Sequence, residues 1–392
     1  MRIAYVDPQS YHGLAKYDLG YLRGLLDSGF DGDVLFYCST LYDGPVPASV
    51  EPAPIFDYNR KRSEVLKAVY YLRSLLRLAI DAFSRPAALY HFQWFKLPWL
   101  DLLLVVLLKK ALGARVAMTA HNVVPHGTEG RRHRALARLY RTVDAIVVHH
   151  RKTADEIAAR FGIDSSRIHV LRHGPIKIDG RGRARHRRTL KRFAAQHPLN
   201  FLFLGRGSRY KGLDILLDAW ALFDARTSAK AGLIVIGAVD PELKDMAAKA
   251  ARRHASLLLI DERVSEADLH LALRRADIVV LPHRRISQSG VLLSALGQRK
   301  PVLVAPRPGL LEPLEMATVG WRFDGGAEGL AARLEFLASH PEEVARIRDD
   351  RDAWKLVQDA YAWRTIGRNA TDVYRRLIER PAGTVASSGV ES

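Results

Sequence analysis

Residues 281–305 read LPHRRISQSGVLLSALGQRKPVLVA. An apolar strand end, a polar loop, a short apolar helix and, from Pro301, a second apolar strand follow one another without interruption. Short strands that are apolar throughout and alternate with helices belong to parallel sheets buried on both faces. In such sheets ligands bind outside the carboxyl ends of the strands. The loop from Ser287 to Gly290 therefore falls where a ligand site is expected.

The same alternation extends in both directions. RIAYV at 2, DVLFY at 33, ALYHF at 88, RVAMTA at 115, DAIVVHH at 144 and IHVL at 168 form one series. FLFLG at 201, LIVIG at 233, LLLI at 257, DIVVLP at 277 and PVLVA at 301 form another. Between them, residues 179–198 (DGRGRARHRRTLKRFAAQHP) break the pattern. At 392 residues the chain exceeds the roughly 250 to 300 at which single cores stop growing, so two domains are expected. The reading is an α/β protein of two Rossmann-like, doubly wound domains facing across a cleft. Its predicted parts are an amino-terminal domain over 1–178, a basic linker over 179–198 and a second domain over 199–363. A helix over 364–379 then crosses back to the first domain, and the tail over 380–392, which has no apolar periodicity, is expected to be disordered.

Hydrophobic residues make up 48% and charged residues 26%, as in globular proteins. A single cysteine, Cys38, excludes an internal disulfide and suits a reducing compartment. No run approaches the roughly 18 apolar residues of a spanning helix, so the expected location is cytoplasmic, soluble or peripheral on the inner membrane face. The net charge of +18 is concentrated. Residues 60–77 hold six Lys/Arg against one acid, 131–141 five Arg, and 181–192 seven Lys/Arg, the last two with no acid. Such local charge points to particular anionic partners.

The stretch FLFLGRGSRYKGLDILLDAW (201–220) has the makings of a diphosphate site. Gly205 and Gly207 allow close backbone approach, Arg206, Arg209 and Lys211 supply charge, and a helix beginning near Gly212 offers free N–H groups. It is neither GxGxxG nor GxxxxGK[ST], so the usual dinucleotide and P-loop readings fail. A solvated turn with exposed cations is the alternative. For Ser289 and Gly290 the alternative is a plain helix N-cap.

The order GRGSRYKGLDILLDAW, ADIVVLP, QSGVLLSALGQRKPVLVA and YAWRTIGRNATDVYRRL (361–377) resembles the nucleotide-sugar glycosyltransferases of family four, which have the GT-B fold. TAHNVVPH (119–126) and the pair His173-Gly174 are similar to bacterial members that build exopolysaccharides and lipopolysaccharides. The resemblance implies that Arg206 and Lys211 bind the donor diphosphate, in a site that also draws on Gly205, Gly207, His173, Gln288, Ser289, Gly290 and Ser294. It implies that His121 lies near the transferred sugar, and that the loop with Tyr11, His12 and Gly13 faces the acceptor. From the residues alone, His121 could equally be a core histidine. Where the family often carries two glutamates, this chain has Ile286 and Ser294. The implied reaction moves a hexose from a UDP- or GDP-sugar to a lipid-linked or polysaccharide acceptor, with retention of configuration. No metal or other cofactor is expected.

Residues 63–80 put Val65, Ala68, Val69, Leu72, Leu75, Leu76 and Ala79 on one helical stripe, flanked by Arg60, Lys61, Arg62, Lys67, Arg73 and Arg77. A stripe with a polybasic flank is the pattern of a helix on an anionic bilayer. The apolar run over 98–112 reads equally well as a core helix. Two rival classes remain: a GT-B subunit that binds a nucleotide sugar without catalysis, and a basic nucleic-acid-binding protein. Against the second, no helix-turn-helix, zinc-finger, RRM or KH pattern is present, and no nucleic-acid partner is expected.

Overall fold

In the computed structural model, which describes residues 1–11, 13–61, 63–123, 131–178, 180–228, 230–286 and 289–379, every strand pairing is parallel. The tail over 380–392 lies outside the described residues. The chain divides into two units, one of Met1–Gly174 with the segment from Tyr361 onward, the other of Pro175–Ala360.

In the first unit the elements run β1 (Arg2–Val6), α1 (Gly13–Asp27), β2 (Asp33–Ser39), β3 (Val50–Phe56), α2 (Glu64–Ser84), β4 (Leu89–Phe92) and α3 (Pro98–Leu112). They continue as β5 (Arg115–Thr119), α4 (Arg131–Thr142), β6 (Ala145–Val148), α5 (Arg151–Phe161) and β7 (Ile168–Val170). The sheet order is β3-β2-β1-β4-β5-β6-β7, so it reverses between β1 and β4. Alternate residues of β1 feed two cores: Ala4 and Val6 pack on one side, Ile3 and Tyr5 on the other. This is why the strand carries no charged residue on either face after Arg2.

The second unit begins with α6 (Arg187–Ala195), β8 (Leu199–Leu204), α7 (Leu213–Arg226), β9 (Ala231–Ile236), α8 (Pro241–Arg253), β10 (Leu257–Ile260) and α9 (Glu266–Arg275). It continues through β11 (Ile278–Leu281), α10 (Gly290–Gly297), β12 (Val302–Val304), α11 (Pro308–Met316), β13 (Gly320–Arg322), α12 (Gly326–Ser339), α13 (Pro341–Asp349) and α14 (Arg351–Tyr361). Its sheet order, β10-β9-β8-β11-β12-β13, reverses between β8 and β11. Those two strands pair directly, Ile278 beside Phe201 and Val279 beside Leu202.

The last helix, α15 (Trp363–Glu379), packs on α1 within the first unit. Glycines make the approach possible: a Cβ on Gly367 would stand 2.0 Å from the Gly24 carbonyl oxygen, and one on Gly24 would stand 2.1 Å from that of Trp363. Polar keys fix the register, with the Tyr374 hydroxyl 2.7 Å from that of Tyr21 and 2.5 Å from His91 Nδ1.

Helix α2 carries two apolar stripes rather than the one expected. Tyr71, Leu75, Leu78 and Ala82 face the core, where the Tyr71 hydroxyl donates to Asp101 of α3 at 2.6 Å. Val65, Val69, Leu72, Leu76, Ile80 and Phe83 face outward, Val65 being 73% exposed and Ile80 69%. The expected stripe merged residues of both, because Leu75 and Leu76 are adjacent in sequence and lie about 100° apart on the helix. Helix α3 adds Trp99, Leu103 and Leu107 to the exposed apolar surface, while Leu104, Val105 and Leu108 fill the core.

The α1–α15 contact makes an unusual prediction. Glycine to alanine inside a helix ordinarily stabilises by about 0.5–1 kcal/mol. Here Gly367→Ala should destabilise, by about 1–3 kcal/mol from overpacking, in a urea titration. An unchanged or raised midpoint would show that the helices can part without cost.

Candidate active site

Strand β8 ends at Leu204, and the chain turns at Gly205, whose φ of 101° is open to glycine and strained for other residues. Gly205 N donates to Ile236 O at 2.9 Å and Gly207 N to Ala238 O at 2.9 Å, so the loop starts from a rigid base on the neighbouring strand's end. The loop closes on itself through Lys211 N to Ser208 O (3.1 Å) and Leu213 N to Ser208 O (3.2 Å). It then meets the loop that follows β11. A Cβ on Gly212 would lie 1.9 Å from Pro282 O, and Arg284 N donates to Tyr210 O at 3.0 Å.

The consequence is a small cradle above Gly205. A Cβ there would find Lys211 Nζ at 3.0 Å and Val291 Cγ2, in the first turn of α10, at 3.9 Å. The two motifs picked out from sequence therefore converge at the point where the strand order reverses, the expected ligand position in an open α/β sheet. Burial, then the nearby Arg206 charge, lowers the Lys211 pKa; both disfavour the ammonium, and an anion beside it would favour the charged form again.

The other predicted residues of this unit have definite partners. Arg206 is largely exposed and pairs with Asp240. Exposed pairs of this kind contribute about 0–1 kcal/mol, so Arg206 can exchange Asp240 for a ligand at little cost. Ser289 is the N-cap of α10, its hydroxyl accepting from Leu292 N at 3.2 Å. Gly290 is closely packed, a Cβ there standing 3.0 Å from Ile176 Cδ1. The buried Ser294 hydroxyl lies 2.8 Å from Gly290 O and 2.9 Å from Ile176 O, so its proton is held inside the unit. Gln288, with Ser287, lies outside the described residues.

Sequence reading passed over His283, which directly follows Pro282 at the end of β11. It is buried, neither ring nitrogen has a hydrogen-bond partner, and burial followed by the Lys211 charge lowers its pKa to about 4. The only signal was a polar residue immediately after an apolar strand.

In the first unit His121 follows β5 and stacks on Trp94, with ring centroids 4.5 Å apart and planes at 13°. Its Nδ1 lies 3.2 Å from His149 Nε2, and its own Nε2 has no partner. Burial, then the charges of His173 and His91, lowers its pKa to about 3, so the ring is neutral at pH 7. His173 Nδ1 lies 2.7 Å from Gly174 O, and Tyr17 packs against His121, His149 and His173 together. Beside His121 a cavity of about 380 Å³ opens at the carboxyl ends of β4 and β5, next to the β1/β4 reversal. Trp94, His149 and Tyr17 were not legible from sequence, because they reach this spot from three different segments.

The loop after β1 is held down. Tyr11 N donates to Gln9 O at 2.7 Å, Leu14 N to Tyr11 O at 3.2 Å, and Asn59 to Pro8 O at 3.0 Å. Gly13 opens α1, and His12 lies outside the described residues. Behind the loop, burial raises Asp7 to about 6 and raises Asp18 as well, Asp18 accepting from the Tyr5 hydroxyl at 2.9 Å.

Comparison with known proteins agrees with this architecture. Residues 12–174 match the family model described as Glycosyltransferase Family 4, and residues 198–340 match that described as Glycosyl transferases group 1. A GDP-mannose:glycolipid 4-beta-D-mannosyltransferase from Xanthomonas campestris pv. campestris is 26% identical over 259 residues, which is 64% of this chain and 68% of that protein. Among solved structures, a glycosyltransferase from Rickettsia africae matches with a TM-score of 0.71 at 14% identity, over 97% of this chain and 99% of that one. Anabaena HepE in complex with UDP matches with a TM-score of 0.69 at 14% identity, over 96% and 100%. Two parallel sheets flanked by helices, matched along nearly their whole length by such structures and by two glycosyltransferase models in chain order, make this protein a glycosyltransferase of GT-B fold that resembles family four.

Proposed function

We propose that the enzyme moves a hexose from a nucleoside diphosphate sugar to a glycolipid acceptor, working against an anionic membrane, in the synthesis of a bacterial surface or extracellular polysaccharide. The observation that carries the donor half is the convergence of Lys211 and the first turn of α10 over Gly205. When the bond between the anomeric carbon and the diphosphate breaks, negative charge builds on the departing oxygen. A half-buried Lys211 amine and the N-terminal turn of α10, whose Gly290 and Val291 N–H groups precede those bonded to Ser289, are fixed in advance to receive it, which is the electrostatic requirement for the step. Arg206 joins them after releasing Asp240, and His283 offers a further unpartnered donor nearby.

GDP-mannose is the first donor to try, because the curated relative is named for it, and the HepE complex makes UDP-sugars the second. The family-four resemblance implies retention, with a departing phosphate oxygen taking the acceptor's proton. The relative is named for a β-linked product. Proton NMR of the product from an α-linked donor decides between them: an α product supports retention and a β product removes it.

Support for the acceptor half comes from α2 and α3. Ten large apolar side chains lie exposed on these two adjacent helices. Arg60, Lys61, Lys67, Arg73 and Arg77 lie along the same segment, Arg62 being outside the described residues. An apolar stripe bordered by cations fits the boundary between acyl chains and anionic headgroups. No helix among the described residues is long and apolar enough to cross a membrane.

Lys211→Ala should lower kcat/KM about 10²- to 10³-fold and reduce thermal stabilisation by GDP or UDP. Arg206→Ala should have the smaller effect of the two. Wild-type kinetics in Lys211→Ala would detach the cradle from catalysis. Separately, the protein should sediment with vesicles containing phosphatidylglycerol and be released by high salt. Val69→Asp with Leu76→Asp, two exposed positions, should abolish sedimentation while leaving the thermal transition intact. Binding indifferent to lipid charge, salt and these substitutions would rule the surface out.

A further inference from the structure

We propose that the outer face of α4, beside Trp99 of α3, is a discrete seat for the phosphate of one anionic glycerophospholipid, which it holds and does not convert. The inference rests on the membrane reading above and adds to it a site that selects a headgroup by the geometry of its donors as well as by charge. It begins from an excess of charge that neither the donor cradle nor the α2 stripe absorbs. Residues 131–141 hold five arginines and no acid. The inward face of α4 is committed to the core through Ala135, Leu136, Leu139 and Tyr140. Its C-terminal end is closed by Arg167, which donates to the Tyr140 and Arg141 carbonyl oxygens at 3.1 and 3.0 Å. Arg134, Arg138 and Arg141, spaced i, i+4 and i+7, are thereby kept together on the exposed face. Like charges at that spacing repel one another. Among the described residues no carboxylate pairs with Arg134 or Arg138. The acid of α3, Asp101, is buried and accepts from the Tyr71 hydroxyl and Leu97 N instead.

The three arginines line a hollow of about 560 Å³ whose other walls are Trp99 and Ala137. Ala137, within one turn of both Arg134 and Arg141, is the small side chain that leaves the space open. Arg138 lies over the Trp99 ring, its guanidinium carbon 5.1 Å from the ring centroid. Stacking of this kind fixes the plane of a guanidinium and leaves its edge N–H groups free. Such edges pair with phosphate oxygens two at a time. What the phosphate is attached to follows from α3, which packs on α4. Beyond Trp99 its outward row continues through Leu103, 66% exposed, and Leu107, 37% exposed. An apolar track therefore leads away from the hollow along the same helix. Acyl chains cover that track, whereas a soluble phosphate or a nucleic acid would leave it in water. A half-exposed tryptophan at the mouth suits the headgroup boundary, where indole rings gather. The lining includes no carboxylate, hydroxyl or imidazole, so nothing in the hollow can act on its occupant.

Titration calorimetry on the full-length enzyme tests this with dihexanoyl phosphatidylglycerol below its micelle concentration, dihexanoyl phosphatidylcholine, and glycerophosphoglycerol, the first headgroup without its chains. Dihexanoyl phosphatidylglycerol should saturate a single site and bind at least about tenfold more tightly than either of the others, the worth of one charge-assisted contact. Arg134→Lys with Arg138→Lys keeps the net charge but removes the paired donor edges. It should weaken dihexanoyl phosphatidylglycerol about tenfold and leave the thermal transition unchanged, both side chains being exposed. Equal binding of the three probes, no saturable uptake of the first, or a lysine variant that binds as the wild type does would overturn the inference. If the wild type does not sediment with phosphatidylglycerol vesicles, the membrane reading itself fails. If it sediments but does not distinguish the short-chain probes, only the seat on α4 does.

Discussion

A parallel sheet can continue in one direction only so long as each new strand is added on the same side of the last. In the second unit the chain abandons that side between β8 and β11, and the loops leaving these two neighbouring strands have nothing between them. The geometry of the cradle over Gly205 follows from this. The loops come so close that Gly212 has no room for a Cβ beneath Pro282, and Arg284 N must find its partner on Tyr210. Lys211 is carried inward by the same turn, over Gly205, until it stands beside the start of α10. The first unit repeats the reversal between β1 and β4, and there too a cavity and unpartnered polar atoms gather at the strand ends.

Much of this was legible in the residues. The apolar runs announced both sheets because a strand buried on two faces must be apolar throughout. The glycines of GRGSRYKG and SQSG, set after such runs, announced the two loops, because backbone that turns back or packs closely on its neighbour selects glycine. What sequence could not convey was which side chains share a place. Trp94, His121, His149 and Tyr17 are scattered over more than 130 positions and come together only because β4, β5 and β6 are neighbours facing α1. His283 was hidden for a simpler reason: one histidine after an apolar strand has the same appearance whether or not its nitrogens find partners. In α2, adjacent leucines with opposite duties were indistinguishable by composition, and burial alone separates Leu75 from Leu76.

The departures at Ile286 and Ser294 acquire a physical meaning in this setting. A glutamate at 294 would place a charged group against the Gly290 and Ile176 carbonyl oxygens, where it would be repelled unless it turned outward to a ligand. Serine instead bonds inward, and α10 is thereby tied at its first turn to Ile176. The cradle loses an acidic hand for neutral hydroxyls and keeps its rigidity. Ile286 is half-buried and cannot accept a hydrogen bond, and the nearby buried carboxylate of Asp214 is taken up by Arg284 and Arg209, which leaves Lys211, His283 and backbone N–H groups at the loop. If the cradle takes a nucleotide sugar as proposed, that balance would favour holding the diphosphate, which every such donor shares, over gripping the groups by which donors differ. On the proposed donor reading, discrimination between donors would have to come from other groups. His283, buried beside Lys211 with both nitrogens unpartnered, is the side chain of this unit best situated to provide it.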